Sequence, residues 1–477
     1  MTERLGQFYI GGAWVAPGAG AGSMPVIDPS TGEAIADVAL GTAVDAEAAI
    51  GAARAAFDGW NATPVAERIA ALARVRDLYK ERYDEMAQAI SLEMGAPISF
   101  ARESQAGAGL AHLNATLEGA ERFAWEEKRG TTTIVREGIG VCGLITPWNW
   151  PMNQIVCKVA PALVAGCTMV LKPSEIAPLS GLLWAEIMHD AELPEGVFNL
   201  VNGTGAEVGA VLSSHPEIDM VSFTGSTRAG VEVAKSAAPT VKRVAQELGG
   251  KSANIILPDA DLEQAVSDGA LGVFANSGQS CDAPTRMLVR RQDMDRAAEI
   301  AAGVADAQVV GDPREEATEM GPVVSEVHWK KVQGLIEAGI AEGATLAAGG
   351  PGLPNGLNRG YFVRPTVFAD VTNDMKIARE EIFGPVLSIL SYDSVDEAVT
   401  IANDTPYGLA AYVQGKNPAD ISRVARALRA GQIQINGPDW DTHAPFGGYK
   451  QSGNGREYAD WGIHDFCETK ALIGIGD

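Results

Sequence analysis

The sequence predicts an α/β protein with two mostly parallel sheets, each built by its own run of alternating strands and helices. Three observations predict it. From Gly140 onward, short apolar strands alternate with helix-like segments, the pattern of a doubly wound parallel sheet. After Gly250 the series restarts with a second set of apolar strands. The chain has 477 residues, more than one core usually serves, so two or three domains are expected.

The elements follow in chain order. The Gly- and Pro-rich stretch before Ala43 reads as short strands and turns, with Asp28-Pro29 and Thr31-Gly32 as turn signals. From Ala43 to Glu121, Ala, Leu and Met recur at helical spacing. Thr131 to Arg136, TTTIVR, is β-branched and reads as a strand. VCGLIT, TMVLK, FNLV and MVSFT then supply the first sheet. VKRVAQE reads as a helix stopped by Gly249-Gly250, a C-cap signal. SANIIL, MLVR, TVFADV, VLSILSY, AAYVQ and QIQIN supply the second sheet. KALIGI is a last strand that the pattern assigns to neither sheet; it suits subunit contacts.

Composition narrows the function classes. With 37 basic and 61 acidic residues the formal net charge is −24. That field repels phosphate backbones and anionic membrane surfaces, so neither nucleic acid nor membrane is expected as a partner. Beyond that, the acidity bears on solubility rather than on fold. Cys142, Cys157, Cys167, Cys281 and Cys467 are too scattered for a disulfide scaffold, and no pair has C-x-x-C spacing. Six histidines without helical pairing point to no metal site. MTERLGQFYIGG lacks an apolar signal core, and the apolar run Val159–Leu171 is too short to span a bilayer. A reducing, cytoplasmic location is the expectation.

Several residues are of types that carry chemistry. Cys281, in NSGQSCDAPTR, follows helix-breaking Gly278-Gln279 and so sits in a turn; its thiolate would attack a carbonyl carbon. Glu247, in AQELGGK, could activate water as a general base. Asn149, in ITPWNWP, could donate its amide to a developing oxyanion. Lys172 ends the strand TMVLK, where ligands of open sheets bind, and Glu175 follows it. Gly225 leads from a strand into a helix capped by Ser226, whose free N–H groups attract pyrophosphate. VNGTGAEVG, holding Gly205, is a near miss to G-x-G-x-x-G. In REEIFGP, Glu381 could accept from ribose hydroxyls, and Phe383 offers a flat face. Each has an ordinary structural alternative: a buried thiol, a surface carboxylate, a turn asparagine, a glycine turn.

The joint order of PWN, KPSE, FTGS, ELGGK, GQ-x-C, EEIFGP and PFGGYK-x-SG decides between these alternatives. Taken together they resemble the aldehyde dehydrogenase superfamily, from GGAW near the start to KALIGI near the end. The resemblance implies NAD(P)-dependent oxidation of an aldehyde to an acid. Cys281 would be the nucleophile, and its backbone N–H with the Asn149 amide the oxyanion hole. Glu247 would activate the water that hydrolyses the thioester. Lys172 joins this implied catalytic set and, with Glu175, would hold the adenosine ribose. Ser226, Gly225 and Gly205 would meet the pyrophosphate. Trp148, Leu248, Lys331, Glu381 and Phe383 would complete the cofactor cleft. Glu175 beside the ribose favours NAD; NADP is the alternative if that side chain rotates away.

The resemblance also implies an architecture. A Rossmann-like cofactor domain would hold residues 1–120 and 141–248, an α/β catalytic domain 249–446, and a small β oligomerisation element 121–140 with 447–477. A homodimer or homotetramer is implied. Relatives that pass the acyl group to coenzyme A lack the ELGG glutamate, so hydrolysis is expected. A coenzyme-A-acylating enzyme and a non-catalytic protein that kept the fold are the alternatives.

Three positions depart from the family pattern. Asp282 follows the nucleophile where small hydroxyl residues are common; it would raise the thiol pKa and repel anionic substrates, unless it turns to pair with Arg286. His328 stands where a glutamine often helps hold the adenine-side ribose. Cys157 replaces a bulky tunnel aromatic, leaving Trp150, Cys157, Asp282, Trp440 and His443 as the expected tunnel residues.

Overall fold

The computed structural model describes residues 3–475. The heart of its first sheet is parallel, running Arg243–Glu247, Met220–Thr224, Val141–Ile145, Thr168–Lys172 and Phe198–Leu200 across the sheet. All but the first of these are buried along their whole length, as a sheet covered on both faces requires. Antiparallel pieces close the edges: Gly453–Asn454 on one side, the hairpin Phe8–Ile10 with Ala13–Val15 on the other.

The second sheet runs Thr366–Ala369, Val386–Tyr392, Arg286–Arg290, Ala253–Ile256, Ala410–Gln414 and Gln432–Ile435, all parallel. Thr345–Ala348 adds an antiparallel edge. The first four residues of KALIGI end the strand Cys467–Ile473, which pairs antiparallel with Thr132–Gly138; Glu126–Arg129 completes a three-stranded sheet separate from both parallel ones. The strand that the sequence assigned to neither large sheet therefore belongs to a third.

The helical stretch predicted from Ala43 holds Ala43–Asn61, Val65–Glu81, Tyr83–Met94 and Gly107–Arg122. Just before the last of these, Ala101–Ala106 widens into a π-helical turn, a distortion that often marks functional sites. The apolar run Val159–Leu171 ends one core helix, Pro151–Ala165, and enters the core strand Thr168–Lys172. Every residue of that helix is buried, so its sequence is apolar nearly all round. Pro151 at its first position and left-handed Gly166 after its end fix its limits. No helix of the described residues is long and apolar enough to cross a membrane.

One element differs from the sequence expectation. Arg243–Glu247 is a strand, not the last turns of a helix. It pairs in register with Met220–Thr224, and that tertiary pairing overrides the helical propensity of VKRVAQE. The following glycines do not cap a helix. A Cβ on Gly249 would lie 2.4 Å from Glu381 Oε2, and one on Gly250 would lie 2.3 Å from the Cys281 carbonyl oxygen. Glycine is needed there because the strand end passes between two loops that carry candidate site residues.

Candidate active site

The loop that carries Cys281 is held in an unusual backbone path. The helix Leu262–Phe274 ends, and Asn276, Ser277 and Gly278 follow with φ of 53°, 55° and 73°. Three successive left-handed residues cost about 1–2 kcal/mol for each one that is not glycine. Buried hydrogen bonds offset that strain. Asn276 Nδ2 donates to the carbonyls of Asn149 (2.9 Å) and Gln279 (3.1 Å). Gln105 Nε2 donates to the Asn149 carbonyl and to Asn276 Oδ1, both at 3.0 Å. Ser277 Oγ donates to the Gly321 carbonyl, and the Val324 N–H donates to Gln279 Oε1.

Gly278 has no alternative at this bend. A Cβ on it would lie 2.1 Å from the backbone carbon and oxygen of Gly384, where no flexible side chain can give way. Gly278→Ala is expected to lower stability by about 3 kcal/mol, combining left-handed strain with overpacking. The shift in thermal midpoint measures it, and an unchanged midpoint would contradict this account of the loop.

Asn149 lies just before the helix Pro151–Ala165 and is tied to the same loop: its Nδ2 donates to the Gln279 carbonyl at 3.0 Å. Trp150 Nε1 donates to Ser280 Oγ at 2.8 Å. The amide and the thiol loop are thus locked together, and the amide keeps a second N–H. Burial pushes the Cys281 thiol pKa well up, and the Asp282 carboxyl pushes it further. Arg286 does not pair with Asp282; its guanidinium donates to the carbonyls of Lys251, Ile401 and Ala402 and to Asn373 Oδ1. Asp282 lines a cavity, and its carbonyl accepts from the Tyr412 hydroxyl.

Two cavities meet at Cys281. A cleft of about 700 Å³ is lined by Trp148, Asn149, Gly225, Ser226, Glu247, Leu248, Cys281, His328, Lys331, Glu381 and Phe383. A second, of about 980 Å³, is lined by Trp150, Asn153, Cys281, Asp282, Trp440, Phe446 and Tyr458, with Glu103, Gly107 and Ala108 from the helices around the π-turn. Gln154 borders both. A thiol at such a junction can meet one molecule from each side.

Glu247 reaches the first cavity from the end of its strand. It is 5% exposed, and neither carboxylate oxygen has a hydrogen-bond partner in the protein. Burial raises its pKa well above the usual carboxylate range, and the nearby Glu457 carboxylate raises it further. Lys158 Nζ pairs with Glu457 and pulls the other way. An orphaned carboxylate facing a cavity is suited to hold a water molecule by its proton.

The residues present fit a dinucleotide in the first cavity. Ser226 caps the helix Thr227–Ala237, its Oγ accepting from the Ala229 N–H, so the helix N-terminus opens on the cleft. Glu381 Oε1 accepts from the Gly250 N–H at 2.9 Å, and Lys331 Nζ donates to the Glu381 carbonyl at 2.8 Å. Thr224 Oγ1, buried at the same end of its strand, has no partner in the protein. His328 lies against Phe383, with Nε2 2.6 Å from the Phe383 carbonyl, and both rings pack edge-on to Trp148. That places His328 against Phe383 and Trp148, in the same cleft as Lys331 and Glu381.

Not every expected residue lines one of these two cavities. Lys172, Glu175 and Gly205 are outside the lining of the first cleft. Lys172 Nζ is 3.0 Å from Glu175 Oε2 and also donates to the carbonyls of Pro173 and Gly203. Gly205 opens a π-helical turn, Gly205–Gly209. Cys157 lines neither cavity; its Sγ donates to Glu457 Oε2 at 3.1 Å in the core. His443 sits beside Arg122 and Glu118 on the surface, away from the substrate-side lining. Neither is among the residues that line the cavity, although Cys157 packs with Phe446 and Tyr458, which do.

The sequence reading also missed residues. Asn153 and Gln154 lie in the first turn of the helix that follows Asn149, and that spacing could have flagged them. Phe446 lies inside the quoted PFGGYK motif, and Gln105 and Tyr458 carry no local signal. Lys251, next to ELGG, is 2% exposed with no partner for its Nζ, and burial pushes its pKa down to about 7.

Comparison with known proteins agrees along the whole chain. The profile of the Aldehyde dehydrogenase family matches residues 14–472. The chain is 53% identical over 469 residues to a 3-succinoylsemialdehyde-pyridine dehydrogenase from Pseudomonas, covering 98% of each. Among solved structures it is similar to a mutant of aldehyde dehydrogenase C from Pseudomonas syringae in complex with NAD+ and octanal. That match has a TM-score of 0.98 and 53% identity, covering 100% of this chain and 98% of the other. A Mycobacterium tuberculosis aldehyde dehydrogenase complexed with NAD+ matches with a TM-score of 0.94 and 40% identity, over 98% of each chain. A family profile spanning nearly the full length, with relatives this similar, shows that the chain belongs to the aldehyde dehydrogenase family, enzymes that oxidise aldehydes with NAD.

Proposed function

We propose that the protein converts an uncharged aldehyde to its carboxylic acid through a thioester on Cys281 that water hydrolyses. The observation that carries this reading is the junction: Cys281 borders both cavities, and the partnerless carboxylate of Glu247 lines the first of them. The Cys281 sulfur attacks the aldehyde carbon entering from the aromatic cavity. The free N–H of the Asn149 amide and the backbone N–H of Cys281 hold the oxygen that gains charge. Bound NAD supplies the hydride acceptor. Trp148, Glu381 and Phe383 would hold it at the nicotinamide end, Ser226 at the pyrophosphate, and Lys172 with Glu175 at the adenosine ribose. Glu247 then takes a proton from water as that water attacks the acyl carbon, and the acid leaves.

The second cavity favours neutral substrates. Trp150, Trp440, Phe446 and Tyr458 give it aromatic walls, Asp282 and Glu103 add carboxylates, and neither lysine nor arginine lines it. The name of the Pseudomonas relative carries a pyridine semialdehyde, and the P. syringae structure holds octanal; both fit such walls. One assay tests the reading. Reduced cofactor is followed at 340 nm, a wavelength set by the cofactor, with aliphatic, aromatic, carboxylated and aminated aldehydes, with and without coenzyme A. Acid formed without coenzyme A is expected, with carboxylated semialdehydes ranked last; an absolute need for coenzyme A would overturn the hydrolytic reading.

The remaining expectations join this proposal. Residues 1–120 with 141–248 bind the cofactor, 249–446 complete the catalytic side, and 121–140 with 447–477 associate subunits into a homodimer or homotetramer. The exposed Ile473 on the three-stranded sheet suits that contact. Five cysteines, all free, suit the cytoplasm.

A further inference from the structure

The aromatic cavity holds a polar cluster that the chemistry at Cys281 does not use. Asn153 lines this cavity between Trp150 and Tyr458. Behind it lies His112, 1% exposed, with Nε2 2.6 Å from Asn153 Oδ1. The His112 ring packs 4.2 Å from that of Tyr458 and edge-on to Trp440 at 5.1 Å. The Tyr458 hydroxyl lies 3.5 Å from the same Oδ1.

His112 Nδ1 is buried and has no partner. A buried N–H without a partner is rarer and costlier than a bare acceptor, so the imidazole proton belongs on Nε2, where it donates to Asn153 Oδ1. Burial pushes the His112 pKa down to about 4, so the ring stays neutral and keeps that single proton at ordinary pH. The orientation of the Asn153 amide is thereby set. Its oxygen is engaged on the His112 side, and among the described residues nothing accepts from its Nδ2.

We propose that Asn153, oriented by His112, donates a hydrogen bond to a neutral acceptor on the body of the substrate, so aldehydes that carry such an acceptor are preferred over matched aldehydes that lack it. The acceptor is neutral because Asp282 and Glu103 line the same cavity and would repel an anion. Much of the remaining wall is aromatic or small (Gly107, Ala108, Ala111), with Ser104 and Gln154 as its other uncharged polar residues; Asn153 is the one whose amide oxygen is engaged by a buried imidazole. Sites built to hydrogen-bond a substrate group discriminate strongly against analogues lacking it, because the site's own polar group is then left unpaired. His112 is a positioning residue; Asn153 makes the contact. The inference rests on the aldehyde-oxidation reading of this cavity and deepens it.

Two matched pairs test it: 4-phenylbutanal against 4-oxo-4-phenylbutanal, and 5-phenylpentanal against 5-oxo-5-phenylpentanal. In the wild-type enzyme at least one keto aldehyde is expected to exceed its parent in kcat/KM by about tenfold or more. In Asn153→Leu the ratio is expected to fall to about one; taking it within each variant cancels any general loss of activity. His112→Phe, which keeps the ring packing and loses the Nε2 donor, is expected to lower the ratio, and His112→Gln to restore part of it. Equal use of both members of each pair by the wild type overturns the inference, and so does a preference that survives Asn153→Leu. The wild-type ratio decides even if a variant fails to fold. Failure to oxidise any of the four aldehydes would instead sink the aldehyde-oxidation reading on which the inference rests.

Discussion

Cys281→Ala is expected to lower kcat by about 10⁴-fold or more, since the covalent route has no second nucleophile at the cavity junction. That loss corresponds to about 5 kcal/mol of transition-state stabilisation. NAD should still bind, because Cys281 is one residue in a cleft whose polar contacts come from Ser226, Glu381 and Lys331. Quenching of the protein's tryptophan fluorescence on titration with NAD, alongside steady-state rates, separates the two effects. Retained oxidation would refute the assignment of the nucleophile. The wild-type acylation step should quicken as pH rises, because burial and Asp282 both hold the thiol pKa high and the thiolate is the reactive form.

The second large effect is expected at Glu247. Glu247→Gln should leave thioester formation in place and slow its hydrolysis by roughly 10²–10³-fold. Reduced cofactor would then appear as a burst of about one equivalent, followed by a slow steady state. Intact-protein mass spectrometry should find the acyl group on Cys281. The pH dependence has a definite sign. The base is the carboxylate, and burial raises its pKa, so hydrolysis in the wild type should climb with pH through that raised value and level off above it. The glutamine variant should lose that climb in the hydrolytic step. A variant that shows no burst, with acylation and hydrolysis slowed equally, would count against the role of Glu247.

Much of the fold was legible because its causes are local. Short apolar runs placed the parallel strands, and helical spacing placed the helices from Ala43 to Arg122, with small errors at their ends. Arg243–Glu247 failed because its neighbour in the sheet, Met220–Thr224, decides its form, and VKRVAQE carries no period-two signal. The candidate site divides the same way. The motif residues Cys281, Asn149, Glu247, Ser226, Glu381 and Phe383 share one cleft. Cys157 and His443, inferred from position alone, are not among the residues that line the substrate-side cavity.

By itself the sequence determined the fold class, the family, and the chemical types gathered for the reaction, since each depends on short motifs and on their order along the chain. Only the tertiary structure decided which side chains face which cavity, that Glu247 ends a strand with both oxygens unpartnered, and that His112 stands behind Asn153. The physical reason is that burial and desolvation are sums over neighbours distant in sequence. His112 and Tyr458 are 346 positions apart in the numbering, yet their rings lie 4.2 Å apart.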